Sequence, residues 1–158
     1  MPKKISAGIL LFRINGEKPE VLLVHPGGPF WKNKDDGAWS IPKGEATESK
    51  ELFDVAKREF FEELGFKVNG EFIKLNPVVQ KGGKAIYAWA VKGDFNEGNF
   101  VSNTFSIFWP PKSKELVEFP EVDKVQWFDL NNAREKLNPA QTDFIDQLVK
   151  ILEQLALS

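Results

Sequence analysis

Residues 57–66 read KREFFEELGF, and this stretch decides the fold that we expect for the chain. Apolar residues in and before it recur at helical spacing and form one stripe: Leu52, Val55, Ala56, Phe60 and Leu64. Thr47 or Ser49 can cap the start of such a helix, and Gly65 is a natural stop. The pattern therefore predicts a helix from about residue 48 to about residue 64.

Three glutamates of this helix, Glu59, Glu62 and Glu63, are spaced so that their carboxylates share one face. The cluster costs stability, because like charges four residues apart destabilise a helix by roughly 0.2–0.5 kcal/mol per pair. Anions near the C-terminal end also oppose the helix dipole. A solvated acidic surface and a site for Mg²⁺ or Mn²⁺ explain the cluster about equally well on these grounds. Arg58 can orient one carboxylate through a bidentate hydrogen bond.

The sequence WSIPKGE, residues 39–45, comes shortly before the helix. Its Pro42, Lys43 and Gly44 predict a turn. Free backbone groups and a lysine at that position would meet phosphate oxygens or a metal. A turn with a purely structural role is the alternative.

The whole chain has the composition of a soluble globular protein with one domain, residues 1–158. Its formal net charge of -2 argues against binding of long DNA or RNA, which needs a dominant basic surface. The absence of cysteine excludes a thiol nucleophile and a thiolate metal site, so only oxygen ligands or His25 remain. The apolar run at residues 7–12 is too short for a signal peptide, and no run has membrane-spanning length. We therefore expect a cytoplasmic protein that does not bind membranes.

Short apolar runs predict the strands, which are residues 9–12, 21–24, 72–75, 85–91, 104–109 and 125–128. Residues 25–38 predict a long loop, which Phe30 and Trp31 favour as ordered. Asn138 and Pro139 begin a last helix that runs to about Leu155. The order of strands, helix, strands and helix predicts an α/β fold, a mixed sheet with helices packed against it.

Gly44 and residues 58–66 together resemble the signature of the Nudix hydrolases. That signature is a glycine, five residues, a glutamate, seven residues, Arg-Glu, an apolar residue, any residue, Glu-Glu, any residue, glycine and an apolar residue. The resemblance extends to residues 7–13, 39–45 and 125–130, and so covers most of the chain. It implies the Nudix fold, in which a mixed sheet lies between helices in an α/β/α arrangement.

One position departs from the signature, because Lys50 occupies the place of its first glutamate. In the family that glutamate commonly pairs with the signature arginine, here Arg58. Lys50 cannot accept a hydrogen bond, and Glu51 points elsewhere because one residue turns a helix by about 100°. We hypothesise that Asp54, four residues from each, bridges Lys50 and Arg58.

The resemblance also implies a chemistry, the Mg²⁺-dependent hydrolysis of a diphosphate linkage in a nucleoside diphosphate derivative such as a nucleoside triphosphate or dinucleoside polyphosphate. Glu59 and Glu63 would be the main metal ligands, with Glu62 assisting and the carbonyl of Lys43 or Gly44 completing the site. Mn²⁺ is an alternative metal.

The catalytic base varies within the family. Glu59 is one candidate, and Glu121, six residues before Trp127, is another, with Glu118 as the fallback. A structural role for Glu121, as an ordinary loop carboxylate, is the alternative.

Trp31 and Phe30 offer stacking surfaces for a base, or simply pack beneath the loop, and Lys43 is placed to contact phosphate. His25 is expected to be structural rather than catalytic. A catalytically impaired Nudix-fold nucleotide-binding module is the second interpretation, favoured by Lys50 alone. A role in RNA decapping is disfavoured, because the chain has no cluster of basic residues.

Overall fold

The computed structural model describes residues 4–47 and 51–157. The strands in this part of the chain are β1 (Ile5–Asn15), β2 (Lys18–Pro26), β3 (Lys43–Ala46), β4 (Phe72–Lys74), β5 (Val78–Val79), β6 (Ala85–Lys92), β7 (Thr104–Phe108), β8 (Leu116–Pro120) and β9 (Val122–Asp129). The α-helices are α1 (Leu52–Leu64), α2 (Leu130–Lys136) and α3 (Thr142–Leu157). Each predicted strand and both predicted helices are present.

The main sheet is mixed, as the order of elements predicted. Its strands lie in the order β4-β6-β1-β2-β9, with β3 paired to β1 and β5 paired to β6. The pair β1 and β6 is parallel, and the other pairs are antiparallel. Strands β7 and β8 form a separate antiparallel hairpin. Central β1 is buried along most of its length because it has neighbours on both edges and helices on both faces.

Two hydrophobic clusters cover the two faces of the sheet. Leu10 of β1 belongs to the cluster that contains Phe144 of α3, and Ile9 belongs to the cluster that contains Phe60 of α1. Successive residues of a strand point to opposite faces, so one strand supplies both cores. The helices therefore sandwich the sheet, and the predicted α/β/α arrangement is confirmed.

Helix α1 begins later than the sequence indicates. Its first residue is Leu52 and its N-cap is Glu51, which makes no side-chain capping bond. Of the two predicted caps, Thr47 lies before the helix and Ser49 lies outside the described residues. The predicted end is correct: Gly65 has a φ of 71°, and its N–H donates to the carbonyl of Phe61. The end was readable because the left-handed conformation selects glycine locally.

The prediction of a turn at Lys43 and Gly44 is wrong, because these residues begin strand β3. Gly8 of β1 lies opposite Lys43, and Ala7 lies opposite Gly44. The sequence KGEA has little strand propensity of its own. It becomes a strand because it pairs with β1, and that long-range contact is invisible in the local pattern.

The chain after α1 contains elements that the sequence did not predict, namely β5, β8 and α2. The last helix differs in detail, since Asn138 caps a short 3-10 helix at Pro139–Gln141 before α3 begins. The long loop after β2 is ordered, as Phe30 and Trp31 suggested. Its turns include a hydrogen bond from the N–H of Lys34 to the carbonyl of Trp31 at 3.0 Å.

Candidate active site

The C-terminal half of α1 brings its glutamates against strand β3. Gly44 and Glu59 lie in close contact, because a Cβ atom built on Gly44 would lie 2.0 Å from Glu59 Cδ and 2.1 Å from Oε2. Real Cβ atoms do not approach other atoms so closely, so position 44 has no room for a side chain. The geometry therefore places Gly44 and a carboxylate of the predicted site side by side.

Glu63 is buried, with 9% of its surface exposed. Burial raises the pKa of its carboxyl to about 8, and the neighbouring charges of Glu59 and Glu121 add to the rise. The ammonium group and main-chain amide of Lys43 act in the opposite direction. The Oε2 atom of Glu63 has no hydrogen-bond partner. A buried carboxylate oxygen without a hydrogen-bond partner lowers the stability of the folded protein. Binding of a cation or a proton at this atom would remove that cost.

Glu59 is mostly buried and Glu62 is half-exposed, and both face Arg58. The Nη2 atom of Arg58 donates to Glu59 Oε1 at 3.3 Å, and its Nε lies 3.8 Å from Glu62 Oε1. Burial raises the pKa of Glu59 and so does the charge of Glu62, whereas Arg58 lowers it. The guanidinium group thus spans two glutamates rather than gripping one in the bidentate manner that the sequence suggested.

The hypothesised bridge through Asp54 is not supported. Asp54 pairs with Lys57 at 3.7 Å, and the ion-pair partners of Arg58 within the described ranges are Glu59 and Glu62. The contact from Asp54 to Arg58 is therefore absent from residues 4–47 and 51–157. Lys50, the other end of the bridge, lies outside these residues.

Lys43 carries the one ammonium group that enters the site from β3. Burial lowers its pKa and nearby Lys84 lowers it further, whereas Glu63, Glu45 and Glu59 raise it. A lysine held among carboxylates in a cleft is well placed to meet an anionic ligand. The contact of Lys43 with phosphate stays a prediction.

Glu121 lies between β8 and β9, and its backbone is held from two sides. Its N–H donates to the carbonyl of Asn103 at 2.8 Å, and its carbonyl accepts from the N–H of Gly27 at 2.9 Å. Asn103 in turn donates its N–H to the carbonyl of Glu62 at 2.9 Å. A short chain of backbone hydrogen bonds therefore ties Glu121 to the end of α1.

The side chain of Glu121 faces the helix glutamates. Burial raises the pKa of its carboxyl, and the charges of Glu59 and Glu62 raise it further. The fallback candidate Glu118 is exposed on β8. Of these two candidates, Glu121 is the one that lies near the helix glutamates, and its role as a base stays a prediction.

A cleft of about 340 Å³ opens beside these groups. Its walls include Lys43, Glu63, Glu121 and Trp31. Phe30 is not among the lining residues; its ring packs edge-on against Trp109, with centroids 5.4 Å apart. The two adjacent aromatic residues thus occupy different environments.

Two polar residues that line the cleft, Ser40 and the buried Gln141, were not singled out from the sequence. Gln141 accepts from the N–H of Ile41 at 3.0 Å through Oε1, and its Nε2 donates to Ser40 Oγ at 3.0 Å. Both Ser40 and Gln141 line the cleft. The two residues are 101 positions apart, so no local pattern could have indicated their contact.

The fit of a divalent cation can be judged from the donor groups. No three His, Cys, Asp or Glu side chains among the described residues converge closely enough to form a ready-made site. The chemistry of the donors nevertheless suits such an ion. Glu63 offers a buried oxygen without a partner, and the carboxylates raise one another's pKa, a repulsion that a cation would relieve. The residues therefore fit a hard divalent metal, with Glu59, Glu62, Glu63 and Gly44 as its candidate ligands.

Comparison with known proteins gives a family match over nearly the whole chain. The model described as NUDIX domain matches residues 2–148. No curated protein is similar enough in sequence to count as a relative.

Solved structures share the fold at low sequence identity. The NUDIX domain of Shewanella oneidensis NrtR complexed with ADP ribose has a TM-score of 0.67 at 16% identity, over 96% of this chain and 90% of that one. A binary complex of C. elegans Ap4A hydrolase has a TM-score of 0.65 at 17% identity, over 94% and 98%. A mutT/nudix family protein from Listeria innocua has a TM-score of 0.66 at 14% identity, over 100% and 99%. Among the described residues of this chain, no helix combines the length and apolar character needed to cross a membrane.

Proposed function

The chain belongs to the Nudix family, and from that premise we propose that it hydrolyses a diphosphate linkage in a nucleoside diphosphate derivative with the help of Mg²⁺. The substrate would be a nucleoside triphosphate or a dinucleoside polyphosphate. The observation that carries the proposal is Glu63, which lines a cleft together with Lys43 and Glu121 and has a buried Oε2 atom without a hydrogen-bond partner.

The carboxylates have separate roles in this proposal. Glu59 and Glu63 hold the metal, Glu62 assists, and the carbonyl of Gly44 completes the set. A bound divalent cation supplies neutralisation of the diphosphate charge and an activated water. Arg58 keeps Glu59 and Glu62 in place through its two contacts. Mn²⁺ can replace Mg²⁺, because both prefer oxygen ligands.

Glu121 is proposed as the base that removes a proton from the attacking water. Its raised pKa suits the task, because a base works best when its pKa lies near the working pH. Glu59 is the second candidate for the catalytic base, and the metal would compete for its oxygens.

Lys43 contacts a phosphate of the substrate, and Trp31 in the cleft wall stacks on the nucleotide base. Phe30 adds to that surface if the loop turns it away from Trp109.

The test is release of phosphate and nucleotide from a panel of substrates with Mg²⁺ and with EDTA. The panel holds nucleoside triphosphates, an oxidised guanine triphosphate, diadenosine polyphosphates and nucleotide sugars. Glu63→Gln is the inactivating variant, and Glu118→Gln is the matched control with a carboxylate removed outside the cleft. Metal-dependent turnover that only Glu63→Gln abolishes would support the proposal.

The alternative is a catalytically impaired module that binds a nucleotide. Lys50 in the place of the signature's first glutamate favours it. The distinguishing result is a nucleotide that raises the melting temperature, with and without Mg²⁺, while no member of the panel is hydrolysed. That result would contradict the proposed hydrolase.

A further inference from the structure

The single histidine of the chain is buried behind the loop that walls the cleft. His25, at the end of β2, has 1% of its surface exposed. Its Nδ1 lies 2.7 Å from Asp123 Oδ1, and its Nε2 lies 2.6 Å from the main-chain carbonyl oxygen of Lys34. Both distances are those of strong hydrogen bonds.

Both partners of the ring are hydrogen-bond acceptors. A carbonyl oxygen has no proton to donate, and an ionised carboxylate has none either. A neutral imidazole carries one N–H, so it would leave one ring nitrogen facing an oxygen lone pair at less than 3 Å. Only the imidazolium form donates to both sides while Asp123 keeps its charge.

The contact to Lys34 reaches the cleft through a short path. Lys34 donates its N–H to the carbonyl of Trp31, and Trp31 lines the cleft. The next residue, Asp35, accepts from Trp39 Nε1 at 2.8 Å. The ring of Trp39 lines the same cleft and packs edge-on against His25, with centroids 5.2 Å apart. One histidine therefore holds the backbone between the two tryptophans of the wall.

We propose that His25 is a positioning residue that carries both ring protons and fastens the loop at residues 27–38, so that Trp31 and Trp39 are held in place for the nucleotide base. The inference rests on the proposed function for its effect on turnover. Its structural part, the doubly protonated ring and the fastened loop, does not depend on that function.

Charged groups surround the ring on several sides. Asp123 and Lys124 face it from β9, and Asp35 faces it from the loop. Lys136 of α2 neutralises Asp35 at 2.6 Å, and Lys34 supplies only its carbonyl.

Ring nitrogen spectra test the protonation state directly. Nitrogen-15 NMR at neutral pH yields a single pair of histidine ring signals, because the chain has one histidine. We expect both nitrogens to have the shifts of protonated positions. One protonated and one bare nitrogen would overturn the proposal, whatever the protein hydrolyses.

Two amide variants test the fastening. The side-chain nitrogen of glutamine reaches the position of Nε2, whereas that of asparagine reaches the position of Nδ1. His25→Gln therefore keeps the donor to the loop carbonyl, and His25→Asn loses it. We expect hydrogen exchange at the amides of Lys34 and Ala38 to accelerate in His25→Asn and to stay near wild type in His25→Gln. The amide of Gly83, in a remote turn bonded to Gln80, is the internal control.

Kinetics on a substrate from the panel complete the test. His25→Asn should raise KM roughly tenfold with little change in kcat. The reason is that the variant loses the charge-assisted hydrogen bond to the loop carbonyl, and the loss of one such bond changes affinity by about that factor. His25→Gln should restore KM. Equal effects of both variants on exchange and KM would overturn the positioning role. Failure of every substrate would count against the proposed function alone, because the spectra and the exchange rates would still decide the state of His25.

Discussion

Gly44 lies so close to Glu59 that a Cβ atom at position 44 would fall 2.0 Å from the carboxyl carbon of Glu59. Strand β3 and helix α1 therefore pack without a gap at the point where the candidate metal ligands meet. The contact explains why a glycine stands there although the strand would favour a larger residue. Adding one methyl group at position 44 therefore tests whether this contact between β3 and α1 matters for the site.

Gly44→Ala should displace Glu59 and lower kcat/KM by roughly a hundredfold, because small misplacements of catalytic groups cost about that factor. The affinity for Mg²⁺ should fall as well. Steady-state kinetics and metal titration provide the measurements. Gly98→Ala is the matched control, since the nearest atom to its Cβ would be Asn96 Oδ1 at 3.3 Å. Wild-type kinetics in Gly44→Ala would show that Glu59 is not a ligand.

The buried carboxyl of Glu63 should make the stability of the metal-free protein depend on pH. Its pKa rises from 4.5 to about 8 on folding, chiefly through burial, so the folded state binds this proton more tightly than the unfolded state. The free energy of unfolding is therefore highest below pH 4.5, the pKa of this group in the unfolded chain, and falls as the pH rises to about 8. The slope is at most about 1.4 kcal/mol per pH unit from this group.

Urea denaturation in EDTA across this pH range measures the slope. Glu63→Gln should flatten it, leaving the smaller contributions of Glu59 and Glu121, whose pKa values are also raised by burial. The exposed Glu97→Gln should retain the full slope. Saturating Mg²⁺ should flatten the wild-type curve too, because a bound cation stabilises the ionised carboxylate. A steep slope that survives in Glu63→Gln would assign the titration to another group.

Glu121→Gln should lower kcat by roughly 10²- to 10⁴-fold, the contribution typical of a general base. The substitution keeps the shape of the side chain and the backbone bonds to Asn103 and Gly27. The melting temperature should stay near that of the wild type, so the loss can be assigned to chemistry. Glu118→Gln, three residues earlier on β8, should keep wild-type kcat. If Glu121→Gln is fully active, Glu59 becomes the candidate base.

Trp31→Ala should raise KM by roughly tenfold, because stacking of a base on an aromatic ring contributes about 1–3 kcal/mol. Phe30→Ala is the neighbouring comparison and should have a smaller effect, since the ring of Phe30 contacts Trp109 instead of the cleft. Michaelis–Menten analysis of both variants on one substrate is sufficient. An effect of Phe30→Ala as large as that of Trp31→Ala would show that the loop rearranges when substrate binds.

Much of the candidate site could be predicted because its information is local. The spacing of Glu59, Glu62 and Glu63 places them on one helix face wherever the helix packs, and Gly65 marks the end of that helix. The central strands were equally readable, since buried strands are continuous apolar runs. The start of α1 was not, because its N-cap is Glu51, which makes no side-chain capping bond and so leaves no local signal.

By itself, the sequence determined the central strands and the helix that holds the three candidate glutamates, because helix periodicity and apolar runs act over a few neighbouring residues. The tertiary structure decided the rest. It made a strand of residues 43–46 by pairing them with β1, and it brought Glu121 to α1 through Asn103. It also set His25 between two acceptors that lie 9 and 98 positions away. Such contacts depend on distance in space, and no local pattern records them.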